Sequence, residues 1–394
     1  MKVINSFAYS RKYPIYIEPG IINAAPGIIN SKFKHSSKVL LITDEKIFNF
    51  YSVKIKDMLE SIKMQTKTLV LKSGESSKSL EVASQVYDCM LEFNMHRNDL
   101  VIAFGGGVIG DLAGFAASTF HRGTQLLQFP TTIIAQVDSS IGGKVVVNHG
   151  GVKNVIGSFY QPHAILIDPE LLETLEEKEI KNGLAEIIKY GLVFDKKILS
   201  GLKVLAEIEE AQDLLTEIIK TAGFVNIITR CVEIKTMVVK KDEFDTGYRN
   251  LLNFGHTAGH AIEKIALLEG FSHGLAVAIG MVIAIDISIV LGLMDEAIKG
   301  TVLDLYNKLK LTGNLNQLVF SDGRTREDTA KELVSAMKFD KKFTSGQNRL
   351  VLLKGINRPV IKENISEDII TIAILKNFTG EEYEKDINNK RTQS

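Results

Sequence analysis

The sequence predicts an α/β protein in which an N-terminal parallel-sheet domain precedes a mainly helical domain. Three observations lead to this fold class. At 394 residues the chain is too long for one ordinary core, so two domains are expected. Short apolar runs alternate with helix-period segments up to residue 168, and beyond Asp168-Pro169 nearly every segment has helical periodicity. We therefore expect domains at 1–168 and 169–378, followed by a polar tail at 379–394.

The first segment contains five short, β-branched apolar runs separated by helix-period stretches such as Ser79–Phe93. The runs are Lys38–Thr43, Thr68–Leu71, Leu100–Phe104, Leu126–Phe129 and Ala164–Ile167. Runs this apolar are typical of strands buried on both faces, which predicts a parallel sheet covered by helices on each side.

The second segment has long helical stretches at Glu209–Lys240 and Leu275–Leu291, with one strand-like run at Arg349–Leu353. The tail is charged and polar, which predicts disorder. A cleft between the two domains is the expected ligand site.

Composition excludes several classes of protein. Hydrophobic residues make up 45% and charged residues 24%, and 47 basic residues balance 47 acidic ones, so no nucleic-acid or membrane surface is expected. The two cysteines, Cys89 and Cys231, are too few for a disulfide framework. The N-terminus lacks the apolar stretch of a signal peptide, and no run approaches about 18 uncharged apolar residues. We expect a soluble cytoplasmic protein.

A glycine loop follows the central apolar run. Gly105, Gly107 and Gly110 match the G-x-G-x-x-G pattern, and strand, glycine loop and helix in that order place free backbone N–H groups where a phosphate can bind. No Asp or Glu lies between Asp111 and Asp138, so the usual ribose carboxylate is missing. Asp44 is an alternative ribose partner.

Two further polar groups, Glu75 and Lys78, stand in Ser73-Gly-Glu-Ser-Ser-Lys78. They suit a second cofactor loop, and a solvated turn is the plain alternative.

Three of the eight histidines, His256, His260 and His273, fall within 18 residues. Glu186 lies upstream, and two imidazoles with one carboxylate form a catalytic zinc set that leaves a coordination position open. The i, i+4 spacing of His256 and His260 by itself suggests that these two share the metal. The alternative is a helix with surface histidines.

Lysines, hydroxyls and glycines interleave from Arg122 to Pro162 outside any amphipathic pattern. Such a stretch suits an anionic, polyhydroxylated ligand, on whose phosphate lysine acts as a point charge.

At these motifs the chain resembles the 3-dehydroquinate synthase family, NAD-dependent sugar-phosphate cyclases of the shikimate pathway, from about Thr43 to Gly355. The resemblance rests on GGGVIGDLAGFAAS, FPTTIIAQVDSSIGGK, KNVIGSFYQP, NGLAEIIKYGL, RNLLNFGHTAGHAIE, HGLAVAIGM and FDKK. The family fold, a nucleotide-binding α/β domain followed by a helical domain, agrees with the fold class already predicted.

The resemblance implies a role for each candidate residue. It makes Glu186, His256 and His273 the ligands of a divalent metal, zinc or alternatively cobalt, and His260 a neighbour that contacts substrate or transfers protons. The implied NAD-binding residues are Asp44, Glu75, Lys78, Gly106, Gly107, Asp111, Thr131, Thr132, Lys144, Lys153, Leu171, Thr174 and Glu179. The implied substrate-binding residues are Arg122, Asp138, Lys144, Asn154, Lys189, Lys235, Arg249, Asn253, His260, Lys341 and Lys342. Of these, Lys144, Lys189, Arg249, Asn253 and His260 would be catalytic.

The implied activity converts 3-deoxy-D-arabino-heptulosonate 7-phosphate to 3-dehydroquinate and phosphate in a homodimer. NAD would be reduced and regenerated in each cycle, so the reaction is a lyase without net redox change. Three alternatives remain open: another sugar-phosphate cyclase of amino-dehydroquinate or inosose type, a metal-dependent polyol dehydrogenase, and a catalytically silent NAD-binding regulator.

The chain departs from the family pattern at three places. Val145 and Val146 stand where the family often has Thr-Gly, Val152 replaces a Gly, and Leu275 replaces a Glu two residues after His273. We expect these positions to affect the choice of substrate.

Overall fold

The computed structural model describes residues 1–207, 214–266, 271–313, 315–318, 325–338 and 348–378. The strands are β1 (Lys2–Phe7), β2 (Lys12–Ile17), β3 (Lys38–Asp44), β4 (Gln65–Leu71), β5 (Leu100–Gly105), β6 (Gln125–Pro130), β7 (Lys144–His149), β8 (Val152–Phe159), β9 (Ala164–Ile167), β10 (Arg349–Leu353) and β11 (Pro359–Glu363). The helices are α1 (Ala25–Lys32), α2 (Glu45–Glu60), α3 (Leu80–Glu92), α4 (Gly107–Thr119), α5 (Glu177–Val193), α6 (Lys196–Leu205), α7 (Leu214–Ile219), α8 (Ala222–Lys241), α9 (His256–Ile265), α10 (His273–Val290), α11 (Glu296–Lys308), α12 (Arg326–Lys338) and α13 (Glu367–Leu375). The fold class is therefore α/β, as predicted.

The chain divides into two compact units by its contacts. The first contains described residues of 1–180 and 212–246, and the second those of 181–211 and from 247 onward. This division differs from the predicted segments 1–168 and 169–378, because α8 returns to the first unit and packs against β1. The predicted tail, 379–394, lies outside the described residues.

A seven-stranded sheet forms the centre of the first unit, in the order β1-β2-β9-β6-β5-β3-β4. All neighbouring strands are parallel except β1 and β2, which pair antiparallel. The five predicted strands are present as β3, β4, β5, β6 and β9. The strands β1 and β2 were not predicted, because Pro14 and alternating polar residues make them less apolar than the central runs.

Both faces of this sheet are covered, as predicted from the apolar runs. Along β3, Val39 and Leu41 pack with α1 and α2, whereas Leu40 and Ile42 pack with α3 and α4. Successive strand residues point to opposite faces. A strand that is buried on both sides is therefore apolar at almost every position.

The order of the strands creates one point where the chain changes direction across the sheet. From β3 the next strand, β4, lies on one side, and the following strand, β5, lies on the other. The carboxyl ends of two such strands diverge into a crevice, the usual ligand site of open α/β sheets. Here that crevice is flanked by the ends of β3 and β5.

The predicted helical stretch Glu209–Lys240 is interrupted in the structure. Helix α7 ends at Ile219, and a new helix, α8, begins after Thr221, whose hydroxyl accepts a hydrogen bond from the Phe224 N–H group at 3.1 Å. A threonine in this position is a standard helix N-cap, so the sequence periodicity continues through a helix boundary. Residues 208–213 lie outside the described part of the chain.

Helix α10 is the core helix of the second unit. Its 18 residues have a mean hydropathy of 2.1, enough in length and composition to cross a membrane, although the sequence predicted no such segment. However, 78% of this stretch is buried inside the structure, and α10 packs against α9, α11, α13 and β10. A helix that is apolar all round and enclosed by other elements is typical of a protein core.

The strand predicted at Arg349–Leu353 is confirmed as β10, which pairs antiparallel with an unpredicted partner, β11. Pro359 is compatible with β11 because it occupies the first position of the strand.

Candidate active site

The predicted metal ligands come together in the second unit. Glu186 lies on α5, and His256 and His273 are the first residues of α9 and α10. Their donor atoms all lie within 4.8 Å of one another. The Glu186 Oε1 atom is 3.2 Å from His256 Nε2 and 3.5 Å from His273 Nε2. Ligands of a tetrahedral zinc ion are separated by roughly 3.4 Å, so this donor set fits such an ion.

Both imidazoles are oriented by an oxygen on the far side of the ring. The Nδ1 atom of His256 lies 3.2 Å from the Phe254 carbonyl oxygen, and the Nδ1 atom of His273 lies 3.2 Å from Glu263 Oε2. With Nδ1–H donated to these oxygens, each Nε2 lone pair is free to face a metal. Glu263 was missed by the sequence prediction. The signal for it was the carboxylate within the histidine motif.

A close helix contact brings α10 to α5. A Cβ atom on Gly274 would lie 2.3 Å from the Asn182 Cα atom, so only glycine fits at this position. The Gly274 N–H group donates to Asn182 Oδ1 at 2.8 Å. Asn182 precedes Glu186 by one helical turn on α5, so the contact fixes His273 and Glu186 relative to each other.

Lys189 contacts the carboxylate of Glu186, and both side chains are almost fully buried. Burial alone raises the pKa of Glu186, but the Lys189 ammonium and the nearby His256 outweigh it, and the pKa is held well below its ordinary value. Glu186 Oε1 accepts no well-formed hydrogen bond from any residue that the structure describes. A buried, ionised oxygen of this kind fits a cation, and this site could hold the metal.

The pKa values of the two candidate histidine ligands are shifted in opposite directions. Burial and the Lys189 ammonium lower the pKa of His256 to about 4. Burial also lowers the pKa of His273, but the carboxylates of Glu186 and Glu263 dominate and raise it to about 10.

His260 lies next to this donor set and outside it. Its ring centroid is 5.5 Å from that of His256 and 6.5 Å from that of His273, and its side chain is exposed. The helical spacing therefore brings the rings of His256 and His260 close together, but the His260 nitrogen atoms do not join the group of donor atoms around Glu186.

Two further predicted residues of the second unit, Arg249 and Asn253, lie on a short 3-10 helix, Tyr248–Asn253. Arg249 is buried, and Asn253 is half-buried with its Nδ2 atom 3.5 Å from Asn250 Oδ1. Lys341 and Lys342 lie outside the described residues.

Three of the predicted dinucleotide residues, Asp44, Gly106 and Gly107, lie where β3 and β5 end, beside the crevice. Asp44 ends β3, and Gly106 and Gly107 begin α4 directly after β5. A Cβ atom on Gly106 would lie 3.0 Å from the Thr132 Cγ2 atom, so the glycine allows this close approach. The free N–H groups at the start of α4 make it a ready binding site for a phosphate group.

Two buried hydroxyls at this edge of the sheet lack hydrogen-bond partners among the described residues. Thr43 is the penultimate residue of β3, and Thr131 follows β6. An unpaired buried hydroxyl is costly, so these atoms fit a polar ligand in the crevice, such as the ribose and phosphates of NAD. Asp44 Oδ1 already accepts hydrogen bonds from the Ile47 N–H group at 3.1 Å and the Ser73 hydroxyl at 2.7 Å.

A chain of polar contacts links further predicted residues beside the glycine loop. Lys78 is buried and donates to Asp111 Oδ2 at 2.6 Å and to Asn154 Oδ1 at 2.5 Å. Burial raises the pKa of Asp111 to about 6 against the opposing effect of Lys78. Glu75 accepts from the Asn148 side chain at 2.7 Å. Asn148 was not among the predicted residues.

The remaining dinucleotide residues lie at different depths. The Tyr51 hydroxyl donates to the Leu171 carbonyl oxygen at 3.0 Å and contacts Thr174 Oγ1 at 3.0 Å, which fixes the Leu171–Thr174 turn. Glu179 is half-buried in the first turn of α5, and Lys153 is exposed on β8.

Three predicted substrate residues of the first unit have acidic or basic partners. Lys235 contacts Asp138, both of them predicted. Lys144 contacts Asp245, which the sequence prediction missed. Asp245 has a φ angle of 59°, in the left-handed region that few residues other than glycine adopt.

Arg122 is separated from these residues. It precedes β6, so it lies at the amino end of that strand, whereas Thr131 follows the carboxyl end. The six residues of β6, at about 3.3 Å each, therefore place Arg122 and Thr131 at opposite ends of the strand. Arg122 instead lines a cavity of about 480 Å³ with Arg11, Arg97 and His163.

The four residues that depart from the family pattern differ in how deeply they are buried. Val145 is buried and would touch any Cβ atom on Gly114 of α4, at 2.4 Å. Val146 pairs with Gly157 across the hairpin, and the Leu275 side chain lies against Gly313. Only Val152 is exposed. The Val145 side chain points into the core, and its expected effect on the choice of substrate stays a prediction.

Comparison with known proteins agrees with this arrangement. Residues 68–182 match the family described as 3-dehydroquinate synthase N-terminal, and residues 183–343 match 3-dehydroquinate synthase C-terminal. The 3-dehydroquinate synthase of Clostridium botulinum is 41% identical over 352 residues, 89% of this chain and 95% of that protein. That of Dehalococcoides mccartyi is 39% identical over 376 residues, 94% of this chain and 99% of that protein.

A solved structure extends the comparison to the fold. The 2-epi-5-epi-valiolone synthase of Streptomyces hygroscopicus, with NAD⁺ and Zn²⁺ bound, is 28% identical, with a TM-score of 0.77 over 92% of this chain and 96% of that one. Sequence and fold thus agree along nearly the whole length, and the chain belongs to the 3-dehydroquinate synthase family.

Proposed function

We propose that this protein converts 3-deoxy-D-arabino-heptulosonate 7-phosphate to 3-dehydroquinate and phosphate, with NAD and a divalent metal as cofactors. The observation that carries the proposal is the convergence of Glu186, His256 and His273, with Lys189 beside them, in a chain of this family. Two imidazoles and one carboxylate leave a coordination position open for a substrate oxygen.

Each cofactor has residues suited to hold it. Glu186, His256 and His273 would bind the metal, zinc or cobalt, and the crevice between β3 and β5 would bind NAD through Asp44, the glycine loop and Thr131. When bound, NAD supplies reversible oxidation of a hydroxyl, and the metal supplies Lewis acidity.

The chain's own residues would bind and neutralise an anionic sugar. Lys144 and Lys235, each beside one carboxylate, and the buried Arg249 supply cationic groups for the substrate carboxylate and phosphate. Fixed positive charge stabilises the negative charge that develops when a proton leaves carbon and phosphate is eliminated. The exposed imidazole of His260 would carry protons to and from the substrate.

The family relatives favour this activity over the alternatives. The two curated relatives compared above are both named 3-dehydroquinate synthase and align over most of their length. A cyclase acting on another sugar phosphate would share the fold and cofactors, so only the substrate separates it. A polyol dehydrogenase would accumulate NADH.

The test is an assay of purified protein with NAD, zinc or cobalt, and the heptulosonate phosphate. We expect phosphate and a carbocyclic product in equal amounts, while absorbance of the reduced nicotinamide stays far below one equivalent per product. NADH formed in proportion to product would favour the dehydrogenase, and turnover of a different sugar phosphate alone would favour another cyclase. We also propose a homodimer, which light scattering of the purified protein would test.

A further inference from the structure

One asparagine joins the β7–β8 hairpin to the loop that precedes α3. The Asn148 Nδ2 atom donates to Glu75 Oε1 at 2.7 Å, and Asn148 Oδ1 accepts from the Asn154 backbone N–H at 2.8 Å. The Asn148 backbone N–H donates to the Lys78 carbonyl oxygen at 2.8 Å. Asn148 therefore contacts the loop of Glu75 and Lys78 through both its backbone and its side chain.

The partners of Asn148 determine which side chain can serve at this position. A backbone N–H group only donates, and the Glu75 carboxylate only accepts. A residue between them needs one acceptor and one donor at the end of a short side chain. Asparagine provides both, whereas aspartate keeps the acceptor and places a second negative charge against Glu75.

The contact with Asn154 fixes that residue in an unusual backbone conformation. Asn154 has a φ angle of 56°, a conformation that asparagine adopts more readily than most residues. Its Oδ1 atom accepts from Lys78, so its Nδ2 atom remains as a donor with no partner among the described residues. Lys78 in turn contacts Asp111. Side-chain and backbone contacts together thus join Glu75, Asn148, Asn154 and Lys78 in a closed chain, which the Lys78 N–H group completes by donating to the Glu75 carbonyl oxygen at 3.1 Å.

We infer that Asn148 is a positioning residue that couples the dinucleotide loop at Glu75 to the substrate-binding amide of Asn154. The inference rests on the proposed function, because Glu75 and Asn154 are assigned to NAD and substrate there. Movement of Glu75 on NAD binding would pass through Asn148 to the Asn154 backbone, so the cofactor would order a substrate contact on the neighbouring hairpin.

A reciprocal exchange of donor and acceptor tests the coupling. Asn148→Asp removes the donor to Glu75, and adding Glu75→Gln restores a hydrogen bond of opposite polarity, because the introduced amide donates to the introduced carboxylate. We expect Asn148→Asp to weaken NAD binding and to raise the KM for the sugar phosphate, each roughly fivefold to tenfold, since the exposed pair is partly screened by water. The double variant should return to within about twofold of Glu75→Gln alone.

A measurement on the cofactor-free protein separates the two side-chain contacts of Asn148, one with Glu75 and one with the Asn154 N–H group. Asn148→Ala removes the acceptor for the Asn154 N–H group, so hydrogen exchange in peptides spanning 150–158 should accelerate roughly tenfold. Asn148→Asp keeps that acceptor and should retain the wild-type exchange rate. Asn5→Asp, an exposed change of the same charge on β1, serves as the control and should alter neither exchange nor binding.

The outcomes distinguish this inference from the proposed function. Wild-type protein that binds no NAD and releases no phosphate contradicts the proposed function. Wild-type protein that does both, while the double variant remains well over twofold weaker than Glu75→Gln alone in NAD affinity and in KM, overturns the coupling role. Unchanged exchange in Asn148→Ala overturns it as well, because Asn148 then does not hold Asn154.

Discussion

At the scale of single residues, the candidate metal site depends on which nitrogen each imidazole presents. His256 and His273 both direct Nε2 toward Glu186, because Nδ1 of each ring faces an oxygen, from Phe254 and Glu263 respectively. The two oxygens differ in charge. A carbonyl fixes the tautomer, whereas the Glu263 carboxylate also increases the electron density of the ring. Of the two candidate ligands, His273 should therefore be the one whose affinity for a metal depends more on the residue that accepts its Nδ1–H group.

Replacing Glu263 should weaken metal binding without removing a ligand. We expect Glu263→Ala to reduce zinc affinity by about 10–100-fold, the usual effect of losing a carboxylate behind a metal-bound histidine. Glu263→Gln, whose amide oxygen still accepts from Nδ1, should lose less. Competition with a chelator of known affinity measures both. Equal affinities in Glu263→Ala and wild type would show that the contact plays no part in metal binding.

Alanine variants of the candidate histidine ligands should differ in metal content from the variant of their neighbour, His260. We expect His256→Ala and His273→Ala to lose stoichiometric metal, and His260→Ala to keep it, because His260 lies outside the set of donors within 4.8 Å. Elemental analysis of the purified variants provides the measurement. Metal lost from the His260 variant alone would contradict the ligand assignment.

Part of the protein's loss of stability in acid should come from His163, a half-buried histidine. Burial, helped by nearby Arg11 and Lys32, lowers the pKa of His163 to about 3, and His163 Nδ1 accepts from the Leu126 N–H group at 3.1 Å. The unfolded chain, with a histidine pKa near 6.5, binds the proton first. This contribution is therefore present above about pH 6.5 and is lost as pH falls toward about 3, amounting to about 2 kcal/mol by pH 5.

The urea midpoint measured from pH 7.5 to pH 5 reports this loss. In His163→Gln, which keeps an acceptor without a titrating group, the midpoint should depend less on pH. The matched control is His35→Gln. His35 is exposed and lines the same cavity as His163 and Arg122, and this variant should behave as wild type. An identical pH dependence in His163→Gln would assign the acid sensitivity to other groups.

Residue identities were predictable from sequence where one motif contains them, and unpredictable where distant segments meet. The set of Glu186, His256 and His273 followed from resemblance, while helical spacing alone would have chosen His260. Spacing gives neighbours on a helix, but a metal needs donors that converge from separate helices. Asn148 and Asp245 were missed because each acts through a partner far away in the chain.

At the scale of secondary-structure elements, the β7–β8 hairpin shows how a substitution near a site can act on the core instead. The strand alternates, so the exposed Lys144 is followed by the buried Val145. Sequence could place both residues in one motif, but only the pairing of β7 with β8 and α4 shows which one faces the core.

Val145→Thr should therefore change stability more than catalysis. The variant places a hydroxyl against Gly114 in an apolar contact, at a cost of about 1–3 kcal/mol if no acceptor is found. We expect a lower urea midpoint and a kcat/KM for the heptulosonate phosphate within about twofold of wild type. Val152→Gly, at the exposed departure, is the comparison. A large change in kcat/KM for Val145→Thr would support a substrate role.

At the scale of the whole molecule, the sheet and the helical core were predictable to different degrees. The five central strands followed from their apolar runs, because parallel strands buried on both faces have a strong sequence signal. The return of 212–246 to the first unit was not predictable, since a helix period does not identify the surface that its apolar face covers. The same limit applies to α10: the sequence predicted a helix at Leu275–Leu291, close to the observed His273–Val290, but no packing partners.

Helix α10 has a consequence for the synthesis of the protein. Its neighbours α13 and β10 are encoded after it, so the ribosome must add roughly 100 more residues, taking about 5–20 s, before the apolar surface is enclosed. During that interval the nascent chain exposes a segment as hydrophobic as a membrane anchor.

We expect chains ending before Glu367 to aggregate or to remain bound to chaperones, whereas chains ending after Phe378 should be released in soluble form. Fractionation of translation products with staggered stop codons would locate the transition. Soluble release of the shorter chains would show that α9 and α11 enclose α10 by themselves.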